Sequence, residues 1–178
     1  MVRRALDFLY DAAGALAAFF ILAILVVMVG GSILRELGGR TGGSDDLVSW
    51  MCAAAAFLAL AHTFKRGDFV RVTLLLEAVG PGMRRALEIV SLVVASVFCG
   101  YLAWSAGHFV YETWKFGDIA TGLLPVPLWI PQSSFVVGAV LLFVAVLDEL
   151  LVVLAGRKPS YVVAAEERHT RGDYTEDL

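Results

Sequence analysis

The chain has 178 residues, of which 59% are apolar and only 17% charged, with a formal net charge of −3. Soluble domains run about 45–50% apolar with glycine counted and about 25% charged, so this sequence has too little polar material to cover a soluble globular enzyme, and it is far too hydrophobic for a disordered chain. A nucleic-acid binder is excluded as well, because no basic excess exists to neutralise phosphates.

What remains is a membrane protein, and the charge-free stretches locate its spans. Residues 12–34, 47–64, 89–111 and 119–147 contain no Asp, Glu, Lys or Arg. A bilayer core takes about 20 helical residues, so the first three fit directly. The first is preceded by Arg3 and Arg4, but its length and the nearby Asp7 and Asp11 argue for a retained helix rather than a cleaved signal. The fourth stretch is too long and carries Pro125, Pro127 and Pro131 in its first half. Proline removes a helix donor and disfavours helix before it. Residues 119–128 are therefore expected to form an ordered loop, and the last helix to start near Trp129–Pro131, with proline in its tolerated first turn, and to run over about 130–154. The expected fold is an all-α integral membrane protein with four transmembrane helices in residues 1–156, followed by a polar tail, 157–178. Lipid leaves no other solution for non-alternating apolar runs, since every backbone group must be paired internally.

Between the second and third spans, Phe69, Val72, Leu76 and Val79 recur at spacings of three and four, after Asp68 as a potential cap and before Gly80-Pro81. At about 12 residues, 68–79 is too short to cross the membrane. It suits a short amphipathic helix in the interface, or else a short helix packed on the spans. The third helix is expected to begin ahead of the membrane, near Met83.

Of the 14 Lys and Arg residues, 11 fall in the N-terminal segment, the middle loop and the tail. The positive-inside rule places both termini and the middle loop in the cytoplasm. Trp50, Trp114 and Trp129 then gather at the outer interface, where amphipathic rings prefer to sit.

Little chemistry is encoded. Two histidines facing each other at one depth would be needed to hold a haem, but His62 and His108 differ in depth by roughly 25 Å. Each is read as an interfacial histidine with a polar neighbour. Cys52 and Cys99 are read as small apolar residues rather than a disulfide, and no metal, redox or nucleotide motif is present. Intramembrane charge would signal an ion pathway, yet the centres of the spans carry none. Asp148 and Glu149 come closest, at the cytoplasmic edge. They are expected to snorkel or to pair with Arg84 or Arg85, and a contact with a partner subunit is the alternative. Small residues on the third helix (Ser96, Gly100, Ala103, Gly107) and the second (Ala53 through Ala56, Ala59) permit close approach, within the chain or to a partner. The readings are therefore no enzyme, no cofactor, no metal and no substrate-binding residue in this chain.

Two loops carry a family resemblance. Asp45-Asp46 opens the second span and Lys65-Arg66-Gly67-Asp68-Phe69-Val70-Arg71-Val72 follows it. This is similar to the Arg-Gly pair followed, three residues on, by Arg-Val-Asp in the small membrane subunits of tripartite ATP-independent periplasmic (TRAP) transporters. Trp114, Gly117-Asp118, Thr121-Gly122 and Pro127-Leu128-Trp129-Ile130-Pro131-Gln132 resemble that family's region before its last helix. The likeness extends over about residues 5–155. Phe69 and Thr73 depart from it, standing where histidine and aspartate are common.

The resemblance implies a scaffold role in a bacterial inner membrane. It implies a partner membrane subunit of about twelve spans that carries substrate and ion sites, and a periplasmic binding protein that delivers an organic acid, with energy from an ion gradient. Arg66, Gly67, Arg71, Trp114, Trp129 and Pro131 would then hold loop geometry or subunit interfaces amid membrane lipid, and none would touch substrate. The competing functions are a membrane anchor of an electron-transfer enzyme and the small subunit of a tripartite tricarboxylate transporter.

Overall fold

The computed structural model describes residues 2–39, 41–66, 81–122 and 124–156, with 159 and 162. Among these residues are four long helices: α1 (Val2–Glu36), α2 (Ser44–Arg66), α3 (Pro81–Phe116) and α4 (Trp129–Leu154). All four are long and apolar enough to cross a membrane, as the charge-free stretches require. The expected interfacial helix over 68–79 lies outside the described residues. The helices run past the apolar stretches that define them. α1 begins ten residues before the first span, because hydrogen bonding continues through Asp7 and Asp11 where hydrophobicity stops. α3 begins at Pro81, slightly ahead of the expected Met83.

Local chemistry sets the ends. α1 closes with Gly38 at a φ of 78°, its N–H donating to Arg35 O and the Gly39 N–H to Leu34 O. α3 closes the same way at Gly117, whose φ of 69° only glycine adopts without strain. α2 starts with Asp45 and Asp46 in its first turn and ends with Lys65 and Arg66, each charge at the helix end whose dipole it offsets. α4 starts at Trp129 with Pro131 in its first turn, as the proline spacing dictates.

The helices do not close into a square bundle. α2 and α4 pack together at the centre, α1 packs on the outer side of α2, and α3 packs on the outer side of α4. Ala13 and Ala17 of α1 meet Ala54 and Leu58 of α2, with Leu141 of α4 against them. Leu92 of α3 meets Val146 and Val153 of α4. Small residues make these approaches possible. A Cβ on Gly138 of α4 would strike the Phe57 backbone of α2, and one on Gly100 of α3 would lie 3.0 Å from the Phe143 ring of α4. Ser96, Gly100 and Ala106 thus serve packing inside the chain, whereas Gly107 faces open space.

These contacts fix directions. Tyr10 sits with Ala61 and Ala145, and Arg85 lies near Gly156. The start of α1, the end of α2, the start of α3 and the end of α4 therefore share one end of the molecule. α2 and α4 run parallel, and α1 and α3 run against them. The outer faces of α1 (Phe19, Leu22, Val26) and α3 (Val94, Val97, Phe98) are exposed apolar surface.

At the opposite end, the described residues between α3 and α4, 117–122 and 124–128, form a small hairpin. Ile119 and Pro127 form an isolated antiparallel bridge. The Ala120 N–H donates to Val126 O, and the Leu128 N–H to Asp118 O, each at 3.0 Å. The hairpin leans on the start of α2. A Cβ at Gly122 would collide with the Asp46 carboxylate, and one at Gly43 with the Leu124 side chain.

Candidate functional site

Among the described residues, charged side chains meet inside the helix assembly where α1, α2 and α4 share an end. Lys65, in the last turn of α2, donates from Nζ to Asp148 Oδ2 at 2.6 Å and to Glu149 Oε1 at 2.9 Å on α4. Glu149 is fully buried, and the Lys65 side chain is 11% exposed. The ammonium also lies 5.6 Å from the ring centre of Tyr10 on α1, within range of a cation–π attraction. Tyr10 is itself buried, and its hydroxyl has no hydrogen-bond partner among the described residues. One turn back on α2, His62 Nδ1 lies 3.3 Å from Asp11 Oδ1 of α1. Gly14, next on the same α1 face, gives the His62 ring its space: a Cβ there would come within 2.8 Å of His62 Cγ.

This arrangement corrects one expectation. Asp148 and Glu149 pair with Lys65, not with Arg84 or Arg85. Arg84 instead faces Glu88 one turn along α3, at 3.7 Å. The true pairing follows from depth. Lys65 is about 32 Å along α2 from Ser44, and Glu149 about 30 Å along α4 from Trp129, at 1.5 Å per residue. Matching the two helices from their starts brings the three groups level. The polar neighbours expected of the histidines are Asp11 for His62 and, at 3.7 Å, Glu112 for His108. Cys52 and Cys99 are both free thiols.

The residues singled out by sequence separate into two ends. Arg66 closes α2 beside Lys65, while Gly67 and Arg71 fall outside the described residues. Trp114, Trp129 and Pro131 lie at the opposite end. Trp114, near the end of α3, is 61% exposed, and Trp129, the first residue of α4, is 39% exposed. Pro131 helps line a cleft of about 400 Å³ between α2 and α4. Trp50, Ala53 and Phe57 form its α2 wall, and Pro131, Gln132 and Phe135 of α4, with Leu128 just before that helix, form the other.

Four apolar helices, an ordered proline loop before the last and a charged clasp at one end describe a membrane subunit with no central polar path among its described residues. Compared with protein families, residues 24–156 match "Tripartite ATP-independent periplasmic transporters, DctQ component". The chain belongs to this family. The match takes in the last third of α1 and all of the other three helices, and the family is the small component of TRAP transporters. The chain is thus a multi-pass membrane protein and a transporter subunit, and neither the electron-transfer anchor nor the tricarboxylate-transporter subunit is favoured. Members of the family work with a large membrane subunit and a periplasmic binding protein. No curated protein matches the chain.

Proposed function

We propose that the chain is the membrane-embedded scaffold of a TRAP-type secondary transporter for organic acids. It lies in a bacterial inner membrane with both termini and the middle loop cytoplasmic, the 157–178 tail included. The large subunit, of about twelve spans, carries the substrate and ion sites and moves against this chain. The periplasmic binding protein delivers the substrate, and an ion gradient drives uptake. The chain has no catalytic activity of its own.

One observation carries the reading. Among the described residues, the charged side chains enclosed by the helices, Lys65 and Glu149 with Asp148, are engaged in tying α2 to α4. A pathway would need such groups along its length and available to solute. A clasp at one end suits a body that stays rigid while its partner moves. In this role Arg66, Gly67 and Arg71 hold the cytoplasmic loop, with a short amphipathic helix over 68–79 lying in the interface. Trp114, Trp129 and Pro131 hold the outer rim, and all six serve loop geometry or subunit contact.

Co-expression with the large subunit tests this. The two are expected to co-purify in detergent as a stable complex. Stable isolation of this chain alone from cells that express both would overturn the scaffold role.

A further inference from the structure

α1 and α3 form the two edges of the helix assembly, and each turns an exposed face outward. The two faces differ in chemistry. From residue 12 to residue 31, α1 carries no side-chain oxygen or nitrogen. Its Phe19, Leu22 and Val26 offer hydrocarbon that lipid chains cover without loss. α3 instead turns Tyr101 and Trp104 outward, 66% and 67% exposed, with His108 one turn further along. These three continue a spacing of three and four that runs Val94, Val97, Tyr101, Trp104, His108, Tyr111. Such a repeat draws one seam along a helix, the pattern on which a second helix packs knobs into holes. The rings follow one another along it. The Tyr101 and Trp104 centroids are 6.3 Å apart, and those of Trp104 and His108 5.8 Å.

Depth decides what covers this seam. The charge-free stretch 89–111 has its midpoint at residue 100. Tyr101 stands beside that midpoint, about 16 Å along the helix from Glu112, and Trp104 about 12 Å, at 1.5 Å per residue. Aromatic side chains of the interfacial belt sit at the ends of a span, as Tyr111 and Trp114 do. Tyr101 and Trp104 lie too deep to belong to it. Neither the Tyr101 hydroxyl nor the Trp104 indole N–H has a hydrogen-bond partner among the described residues. Lipid chains hold no acceptor, so donors facing them at this depth are costly. A protein surface that supplies acceptors removes the cost.

We propose that the α3 seam of Tyr101, Trp104 and His108 seats a transmembrane helix of the large subunit, one that turns small residues and hydroxyl or carbonyl acceptors toward these rings. Small residues leave room for two large side chains while the backbones approach. The acceptors engage the hydroxyl and indole donors. A second copy of this chain does not meet the need. Two copies share one orientation in the membrane, so their seams run parallel and Trp104 meets Trp104 at one depth. An indole donates only, and both N–H groups would stay unpaired. The outer face of α1, with no donor to satisfy, is left to lipid. The identity of the partner rests on the TRAP reading above, whereas the need for a protein cover rests on α3 alone.

The test uses the full chain co-expressed with the large subunit. The photo-reactive p-benzoylphenylalanine replaces Tyr101 or Trp104 on α3, and Phe19 or Leu22 on α1, one position at a time, and adducts formed in illuminated cells are resolved by mass. Tyr101 and Trp104 are expected to yield adducts with the large subunit, and Phe19 and Leu22 adducts with lipid. Tyr101→Phe combined with Trp104→Phe keeps aromatic rings on the seam and removes both donors. Each interhelical hydrogen bond in a membrane is worth about 3- to 20-fold in association. The double variant is therefore expected to release the large subunit more readily by that order in a detergent titration. Its helix content, read by circular dichroism, stays unchanged because neither side chain packs inside this chain. Three results overturn the seat: adducts with the large subunit from α1 and none from α3, adducts from α3 that join two copies of this chain, or a double variant that holds the large subunit as firmly as the unaltered chain. Each leaves the scaffold role standing so long as the two proteins co-purify. An unaltered chain that forms no complex overturns both.

Discussion

Lys65 and Asp148 stand 83 residues apart in the chain and 2.6 Å apart in space. With Glu149 as second acceptor, the ammonium joins the two central helices at the end where α1 also arrives. Removing one partner of a buried ion pair costs about 3–5 kcal/mol, because the remaining charge is stranded. Lys65→Ala is therefore expected to destabilise the subunit by that order, read as a lower thermal transition in detergent. Lys65→Met combined with Asp148→Asn and Glu149→Gln removes all three charges and should recover most of the loss. A triple variant no more stable than Lys65→Ala would mean that the clasp contributes through something other than charge compensation.

Gly14 and Gly30 form a matched pair on α1. A Cβ at Gly14 meets the His62 ring, whereas one at Gly30 meets nothing within 4 Å. Gly14→Val should cost about 1–3 kcal/mol by overpacking and push His62 away from Asp11. Gly30→Ala should leave stability unchanged or slightly raised. Melting curves of the two variants measured side by side give the comparison, and equal shifts would contradict the packing described.

Gly138 holds the central pair together. A side chain there meets the Phe57 carbonyl, which is backbone and cannot rotate aside. Gly138→Leu is expected to separate α2 from α4 and lower the yield of folded protein severalfold. Cross-linking between cysteines placed at Phe57 and Val137 would report the separation directly, as lost efficiency.

The hairpin between α3 and α4 should depend on Asp46. Gly122→Ala puts a methyl group against that carboxylate and should loosen the hairpin, seen as faster proteolysis between α3 and α4. Adding Asp46→Ala to Gly122→Ala should relieve the clash and restore resistance. If the double variant is cleaved as fast as the single one, the hairpin is not seated on Asp46.

Topology can be read with a membrane-impermeant maleimide in a Cys52→Ala, Cys99→Ala background. Thr121→Cys is expected to react from the periplasmic side of intact cells, and Arg84→Cys only after the membrane is opened. The reverse pattern would invert the proposed orientation.

The sequence made the four spans legible because lipid forces charge out of them, and Pro125, Pro127 and Pro131 placed the start of α4 at Trp129. Helix ends beyond the apolar runs were less legible, since hydrogen bonding carries α1 through Asp7 and Asp11 without any hydropathy signal. The lateral order of the helices left no mark on hydropathy, because each span is apolar on several faces. By charge pattern alone Lys65 belongs to the middle loop, and the acids of α4 match the arginines nearest the start of α3. Only knowing that α2 lies beside α4 makes Lys65 their partner. The outer cleft was equally hidden: Pro131 and Gln132 were visible as a motif, but Ala53 became meaningful only once it faced them.

The central pair is formed by the second and the last helices, with α3 made between them. During synthesis α1 and α2 emerge from the ribosome long before Asp148 and Glu149 exist. The Lys65 ammonium must wait at the membrane surface, solvated or borrowed by other groups, until α4 is threaded beside it. Of the four described helices, the one translated last thus completes the middle of the subunit rather than its edge. A nascent chain stopped before α4 holds its cation without the acids that later enclose it.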